Sequence, residues 1–176
     1  MGTWKEQVVW EKPRSLHDVI HGPQGRTVIP ATRGYYAFVE GKTTPSPNRC
    51  LYIGIAAGKT GLYGRLSSYL RTTVTVSKAS HTQHTGKRRL FFARIVGING
   101  SAVGLGGETL NTPIFDKSIY LSWALAPFDF DSETKGRNER EFAYMLERAL
   151  IHYYRPLYNT ANWERDNEFD LEDDAF

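Results

Sequence analysis

Between Gly41 and Gly107 the chain has no aspartate and no glutamate, although ten lysines and arginines fall in that stretch. A solvated protein face normally mixes charges of both signs. An acid-free stretch gathered on one side of a small domain gives a positive surface suited to phosphates, which points to nucleic-acid binding ahead of the plain alternative, chance composition spread over several faces. Cysteine is scarce as well. A single residue, Cys50, excludes an internal disulfide framework and fits a reducing compartment. Set in an apolar strand, it reads as a small core filler. Long apolar runs are missing, and the opening MGTWKEQVVWEK has no hydrophobic stretch of the kind that directs secretion. The expectation is therefore a cytoplasmic protein with no membrane partner.

The 176 residues are 40% hydrophobic and 23% charged, ordinary for one domain with a core of useful size. The net charge of +3 conceals an asymmetry. Residues 164–176, ERDNEFDLEDDAF, hold seven acids and one base; taking these from the chain's 19 acids and 22 bases leaves 12 and 21, so residues 1–163 carry +9. Such an acidic segment, poor in apolar side chains, is expected to be a disordered tail.

Residues 1–33 have no sustained period and read as an N-terminal arm with short elements. GYYAFVEG (34–41) and RCLYIGIA (49–56) are rich in aromatic and β-branched residues and predict two strands of a hairpin around the Pro- and Ser-containing loop 42–48. Leu62, Leu66 and Leu70 fall on one face of a helix over 61–71. Residues 72–86 read as a loop, 87–97 are compatible with helix or strand and read as a helix in preference, and 97–113 read as an irregular glycine-rich excursion. SIYLSWALAPF (118–128) predicts a third strand. Arg137–Arg155 predicts a long helix with Phe142, Met145, Leu146, Ala149, Leu150 and Tyr153 on its apolar stripe, ended by Pro156. Glu147 falls off that stripe, with Tyr144 and Ile151 as its neighbours. Consecutive strands followed by helices predict an α+β domain over 34–163: a small central antiparallel three-stranded sheet flanked by helices.

The segment LYIGIAAGKTGLYGRL (51–66) has the outline of a phosphate-cradling loop: a strand, a glycine-rich turn, Lys59-Thr60, then a helix. The spacing is wrong, since Gly54 and Gly58 are separated by three residues where the cradle needs four, and no apolar strand ending in aspartate follows to hold Mg²⁺. A nucleotide-binding protein using Gly54–Thr60 is thus the weakest of the readings kept.

Other motifs compete for the same segment. Gly34-Tyr35-Tyr36 stands on the first strand and Tyr52-Ile53-Gly54 on the second. Arg65-Leu66-Ser67-Ser68-Tyr69 lies on the following helix. Glu147 opens ERALIHYYRPLYN, which closes on Pro156, Leu157, Tyr158 and Asn159. In this order the motifs resemble the GIY-YIG nuclease superfamily over roughly residues 34–160, and RLSSYL is especially similar to the nuclease domain of the bacterial excision-repair incision subunit. The resemblance implies that Tyr36, Tyr52, Arg65, Tyr69 and Glu147 are catalytic, with Glu147 the ligand of one Mg²⁺ or Mn²⁺ per site, and that Gly54 and Asn159 support the site. It implies double-stranded DNA as substrate and admits a homodimer, as in compact restriction endonucleases of the family; repair and mobile-element roles stay open. This chain departs from the pattern at Tyr35, the middle of the first motif, and at Ile55, where the excision-repair branch often has lysine.

The chemistry is coherent without the name. Phosphodiester cleavage needs an activated water, a metal to polarise the phosphate and a cation for developing charge. Glu147 is a hard oxygen ligand suited to Mg²⁺. Arg65 is a permanently charged fork that matches phosphate oxygens. Tyr69 shares its helix face at i+4. By resemblance Tyr36 is the base-side group, with Tyr52 and Tyr69 positioning water or phosphate. Lys59, Arg71, Lys78, Lys87, Arg88 and Arg89 are the candidate DNA contacts. His81 and His84, with no nearby cysteine, make a poor zinc site and fit phosphate contacts or plain exposure. Taken singly, each tyrosine is a common sheet residue and Glu147 a common helix carboxylate. The alternative of a different class is a catalytically inactive nucleic-acid-binding module on the same fold.

Overall fold

The computed structural model describes residues 8–47, 49–67, 73–75, 109–111, 118–126 and 135–159. The expected helix at 87–97 and the acidic tail lie outside the described residues.

Four antiparallel strands form the main sheet in the order β1-β6-β2-β3. β2 (Gly34–Glu40) and β3 (Cys50–Ala56) are the expected hairpin, and β6 (Ile119–Leu125) lies on the other side of β2. The fold is α+β, but with four strands in place of the three expected. The fourth, β1 (Arg14–Ser15), is two residues long and pairs with Leu121 and Tyr120 of β6. So short a strand has no alternation to read. Its pairing is prepared upstream, where the Glu11 N–H donates to the Trp123 carbonyl (2.7 Å) and Ser122 Oγ donates to the Glu11 carbonyl (2.7 Å). Ser15 then caps α1 (Leu16–His21), accepting from the Asp18 N–H.

All seven residues of β3 and the first six of β2 are buried. Both strands are apolar runs because helices cover both faces of the sheet. On one face Tyr36, Phe38 and Tyr52 pack with Leu16 and Val19 of α1, Ile29, and Leu62 and Leu66 of α2 (Gly61–Ser67). On the other, Tyr35, Ala37, Val39 and Ile53 pack against Ala143, Leu146, Leu150 and Ile151 of the long helix that follows β6, spanning Lys135–Tyr154. Cys50 is buried there, as expected of a core filler. The apolar stripe of the long helix is displaced from the expected one. Met145 and Tyr153 are exposed, whereas Ala143 and Ile151 are buried. Both are i±4 neighbours of Glu147, so Glu147 stands at the edge of the buried face.

β4 (Thr73–Thr75) and β5 (Thr109–Asn111) pair antiparallel as a separate two-stranded sheet. The expected loop and irregular excursion each therefore contain a strand, and the ribbon joins the two ends of segment 76–108. With α1 and α2 already placed, the long helix Lys135–Tyr154 is α3. It ends where Arg155 adopts φ 45° and Pro156 follows.

Candidate functional site

The site is built along β3, the edge strand of the sheet. β3 carries a bulge: Phe38 faces Tyr52 but Val39 faces Cys50, leaving Leu51 as the extra residue. An edge strand presents unpaired backbone groups on its outer side. Here the chain leaving α3 returns to cover them. The Leu157 N–H donates to the Cys50 carbonyl (3.2 Å) and the Tyr158 N–H to the Leu51 carbonyl (2.9 Å). Asn159 continues the pairing with its side chain: the Ile53 N–H donates to Asn159 Oδ1 and Asn159 Nδ2 donates to the Ile53 carbonyl, both at 2.9 Å. Two residues further along β3, the Ile55 N–H donates to the Glu147 carboxylate.

Glu147 is half-buried, and its pKa is raised from 4.5 to about 7. Burial is the main cause. It outweighs the Ile55 N–H and the positive charges of Arg65 and Arg148, all of which favour the carboxylate. Arg65, half-buried on α2, comes from the helix on the opposite sheet face. Because β3 is the last strand, side chains from α2 and α3 act on one another around its edge. This juxtaposition joins two of the catalytic candidates.

Tyr36 and Tyr52 lie together under α2, with ring centroids 6.1 Å apart, and Phe38 meets Tyr36 edge-on. Tyr36 has no exposed surface and Tyr52 retains 8%. Tyr36 is opposite Gly54 in the β2–β3 register, and a Cβ at Gly54 would stand 2.5 Å from the Tyr36 hydroxyl. Gly54 is thus the residue that admits the phenol. Lys59 is exposed in the turn before α2. Tyr69, Arg71, Lys78, Lys87, Arg88 and Arg89 lie outside the described residues.

Two residues not singled out from the sequence belong to this neighbourhood. Arg148, exposed and next in sequence to Glu147, acts on its charge. Tyr35 is buried on the α3 side of β2, and its hydroxyl donates to the Ala143 carbonyl (3.2 Å), one helical turn before Glu147. The departure from the family pattern at Tyr35 was the one sequence signal for it.

The start of α2 offers no phosphate cradle. The Gly61 N–H donates to the Gly58 carbonyl, Leu62 to Thr32 (2.8 Å), Tyr63 to Pro30 (3.0 Å) and Gly64 to Thr60, so the orphan amides of the helix are already satisfied. Gly61 is required there, with φ 54° and a Cβ position that would collide with the Thr32 and Ala31 backbone.

Among the described residues no three histidine, cysteine, aspartate or glutamate side chains group as a metal site, and no helix is long and apolar enough to cross a membrane. No known protein family matches the chain, and neither a curated protein nor a solved structure matches it.

Proposed function

We propose that this protein is a metal-dependent endonuclease of the GIY-YIG type that hydrolyses phosphodiester bonds in DNA. The observation that supports it most is Glu147. It is a carboxylate held by a β3 amide at the edge of the core, with the positive charge of Arg65 acting on it from the helix on the opposite face of the sheet. The acid-free stretch from Gly41 to Gly107 supports nucleic acid as the partner.

The residues fit a single hard cation. Burial costs the Glu147 carboxylate more than the Ile55 N–H and the two arginines return, and a divalent ion would supply the missing positive charge. One protein carboxylate suits Mg²⁺ or Mn²⁺, which keep several water ligands. When bound, such an ion supplies Lewis-acid polarisation of the phosphate. The remaining work falls to the chain. Arg65 binds the phosphate oxygens and offsets the charge that develops on them. Tyr52 walls the site beside Gly54. Tyr36 is the base-side group by resemblance. Because it is enclosed in the core, Tyr36→Phe is the direct check of that role: loss of about 100-fold or more in rate with a preserved fold supports it.

The deciding experiment is incubation of plasmid DNA with the purified protein, in Mg²⁺ and in chelator. A fixed pattern of bands indicates restriction-like specificity, and nicking or smearing a general nuclease. A mobility shift without cleavage overturns the enzymatic reading in favour of a binding module.

A further inference from the structure

We propose that Tyr35 is a positioning residue for Glu147: its hydroxyl ties the turn of α3 that carries Glu147 to the central strand of the sheet. The proposal rests on the endonuclease reading of Glu147 and deepens it.

Tyr35 and Tyr36 are consecutive on β2, so they point to opposite faces of the sheet. Tyr36 joins the cluster under α2 and Tyr35 the cluster under α3. β2 is the central strand of the fold, paired with β6 along its whole length and with β3 over Gly34–Val39. The apolar contacts of Ala143, Leu146 and Leu150 with the sheet are non-directional and constrain the position of α3 along its own axis less sharply than a directional contact does. A hydrogen bond is directional and does fix it. The Tyr35 hydroxyl donates to the Ala143 carbonyl at 3.2 Å, and the Tyr35 side chain is completely buried.

Ala143 is four residues before Glu147, so its carbonyl is the one that the Glu147 N–H reaches in a regular helix. The phenol therefore engages the turn on which Glu147 is mounted. Glu147 is held at two points by two strands: its helical turn by Tyr35 of β2, and its carboxylate by the Ile55 N–H of β3. A carboxylate that must meet both an ion and an amide depends on such placement, because small displacements are costly at a metal site. An apolar side chain at residue 35 would fill the same space but remove the directional tie between β2 and the turn that carries Glu147.

The test compares the wild-type protein with Tyr35→Phe, Tyr35→Leu and Glu147→Gln. Mn²⁺ binding without DNA is followed by electron paramagnetic resonance. The Mg²⁺ dependence of plasmid cleavage and the thermal midpoint are measured alongside. Tyr35→Phe is expected to weaken Mn²⁺ binding, and to raise the Mg²⁺ concentration for half-maximal cleavage, by about tenfold, the low end of what loss of an outer-shell partner costs. DNA affinity in chelator should not change. A structural role alone would lower the thermal midpoint and leave ion affinity at low temperature untouched. Tyr35→Leu, which also removes the ring, must weaken ion binding at least as much. Wild-type Mn²⁺ affinity in Tyr35→Phe, with Glu147→Gln having lost it, overturns the role of Tyr35 and leaves the nuclease reading standing. Wild-type Mn²⁺ affinity in Glu147→Gln overturns the reading itself.

Discussion

The side-chain amide of Asn159 stands in for a strand residue beside Ile53, accepting from its N–H and donating to its carbonyl at 2.9 Å each. The two residues are 106 positions apart in the chain. Their pairing extends the cover of the β3 edge begun by Leu157 and Tyr158, and it sets the strand whose next outward amide, Ile55, holds Glu147. Asn159 is buried, so its contribution here is geometric.

Replacing Asn159 by leucine leaves a buried N–H and a buried carbonyl without partners. The expected cost is about 2–4 kcal/mol of stability, read as a lower urea midpoint with an unchanged m-value. Asn159→Asp should be as damaging, because a carboxylate cannot donate to the Ile53 carbonyl. A midpoint equal to wild type in Asn159→Leu would show that the edge pairing is dispensable.

Glu147 makes stability depend on pH. Its folded pKa, about 7, lies above the ordinary 4.5, so the folded state prefers the protonated acid. The associated stability is complete below about pH 4.5, falls as pH rises towards 7 and is gone above it. The loss on ionisation is up to about 3 kcal/mol. In chelator at pH 8, Glu147→Gln is therefore expected to melt higher than wild type; in Mg²⁺ it should have lost cleavage while still binding DNA. Cleavage retained in Mg²⁺, or a Glu147→Gln midpoint below wild type at pH 8, contradicts the assignment.

Glycines around the β3–α2 turn should divide sharply. Gly58→Ala meets open space and is expected to be neutral. Gly61→Ala forces a side chain to φ 54° against the Thr32 backbone and should cost about 1–3 kcal/mol or more. Gly54→Ala drives a methyl into the Tyr36 phenol and should lower both stability and activity. Thermal melts of the three variants test this order. A strongly impaired Gly58→Ala would revive the phosphate-cradle reading.

Charge at the site is expected to act through Arg65, not Lys59. Lys59→Ala should change cleavage less than about threefold, and Mg-ATP should not bind measurably in titration calorimetry. Arg65→Lys should be far more damaging, because an ammonium lacks the planar fork that grips two phosphate oxygens. Comparable losses in the two variants would contradict this division.

Removing residues 164–176 changes the net charge from +3 to +9. The segment lies outside the described residues, and the expectation rests on charge alone. The shortened chain should bind DNA more tightly at low salt, with the difference vanishing as salt rises. Equal affinities at low salt would make the segment a bystander.

Much of this was legible in the chain. The apolar runs at 34–41 and 49–56 became β2 and β3, and the i, i+4 leucines placed α2 on the sheet through Leu62 and Leu66. The misses have physical causes. A strand of two residues, β1, has no periodicity. The apolar stripe of α3 was misplaced because its aromatic-rich sequence supports two adjacent stripes, and only contact with Tyr35 and Ile53 selects Ala143 and Ile151 over Met145 and Tyr153.

The sequence by itself determined the central hairpin, the third long strand and the two helices that flank the sheet, and the order in which tyrosines, an arginine and a glutamate recur, because periodicity and motif spacing are local properties. Only the tertiary structure decided that Glu147 sits at the core edge under the Ile55 amide, that the charge of Arg65 acts on it from the other face, and that Tyr35 reaches the turn beneath it. Those relations exist because β3 is an edge strand with a helix on each side, and edge position is a property of the assembled sheet, not of any segment in it.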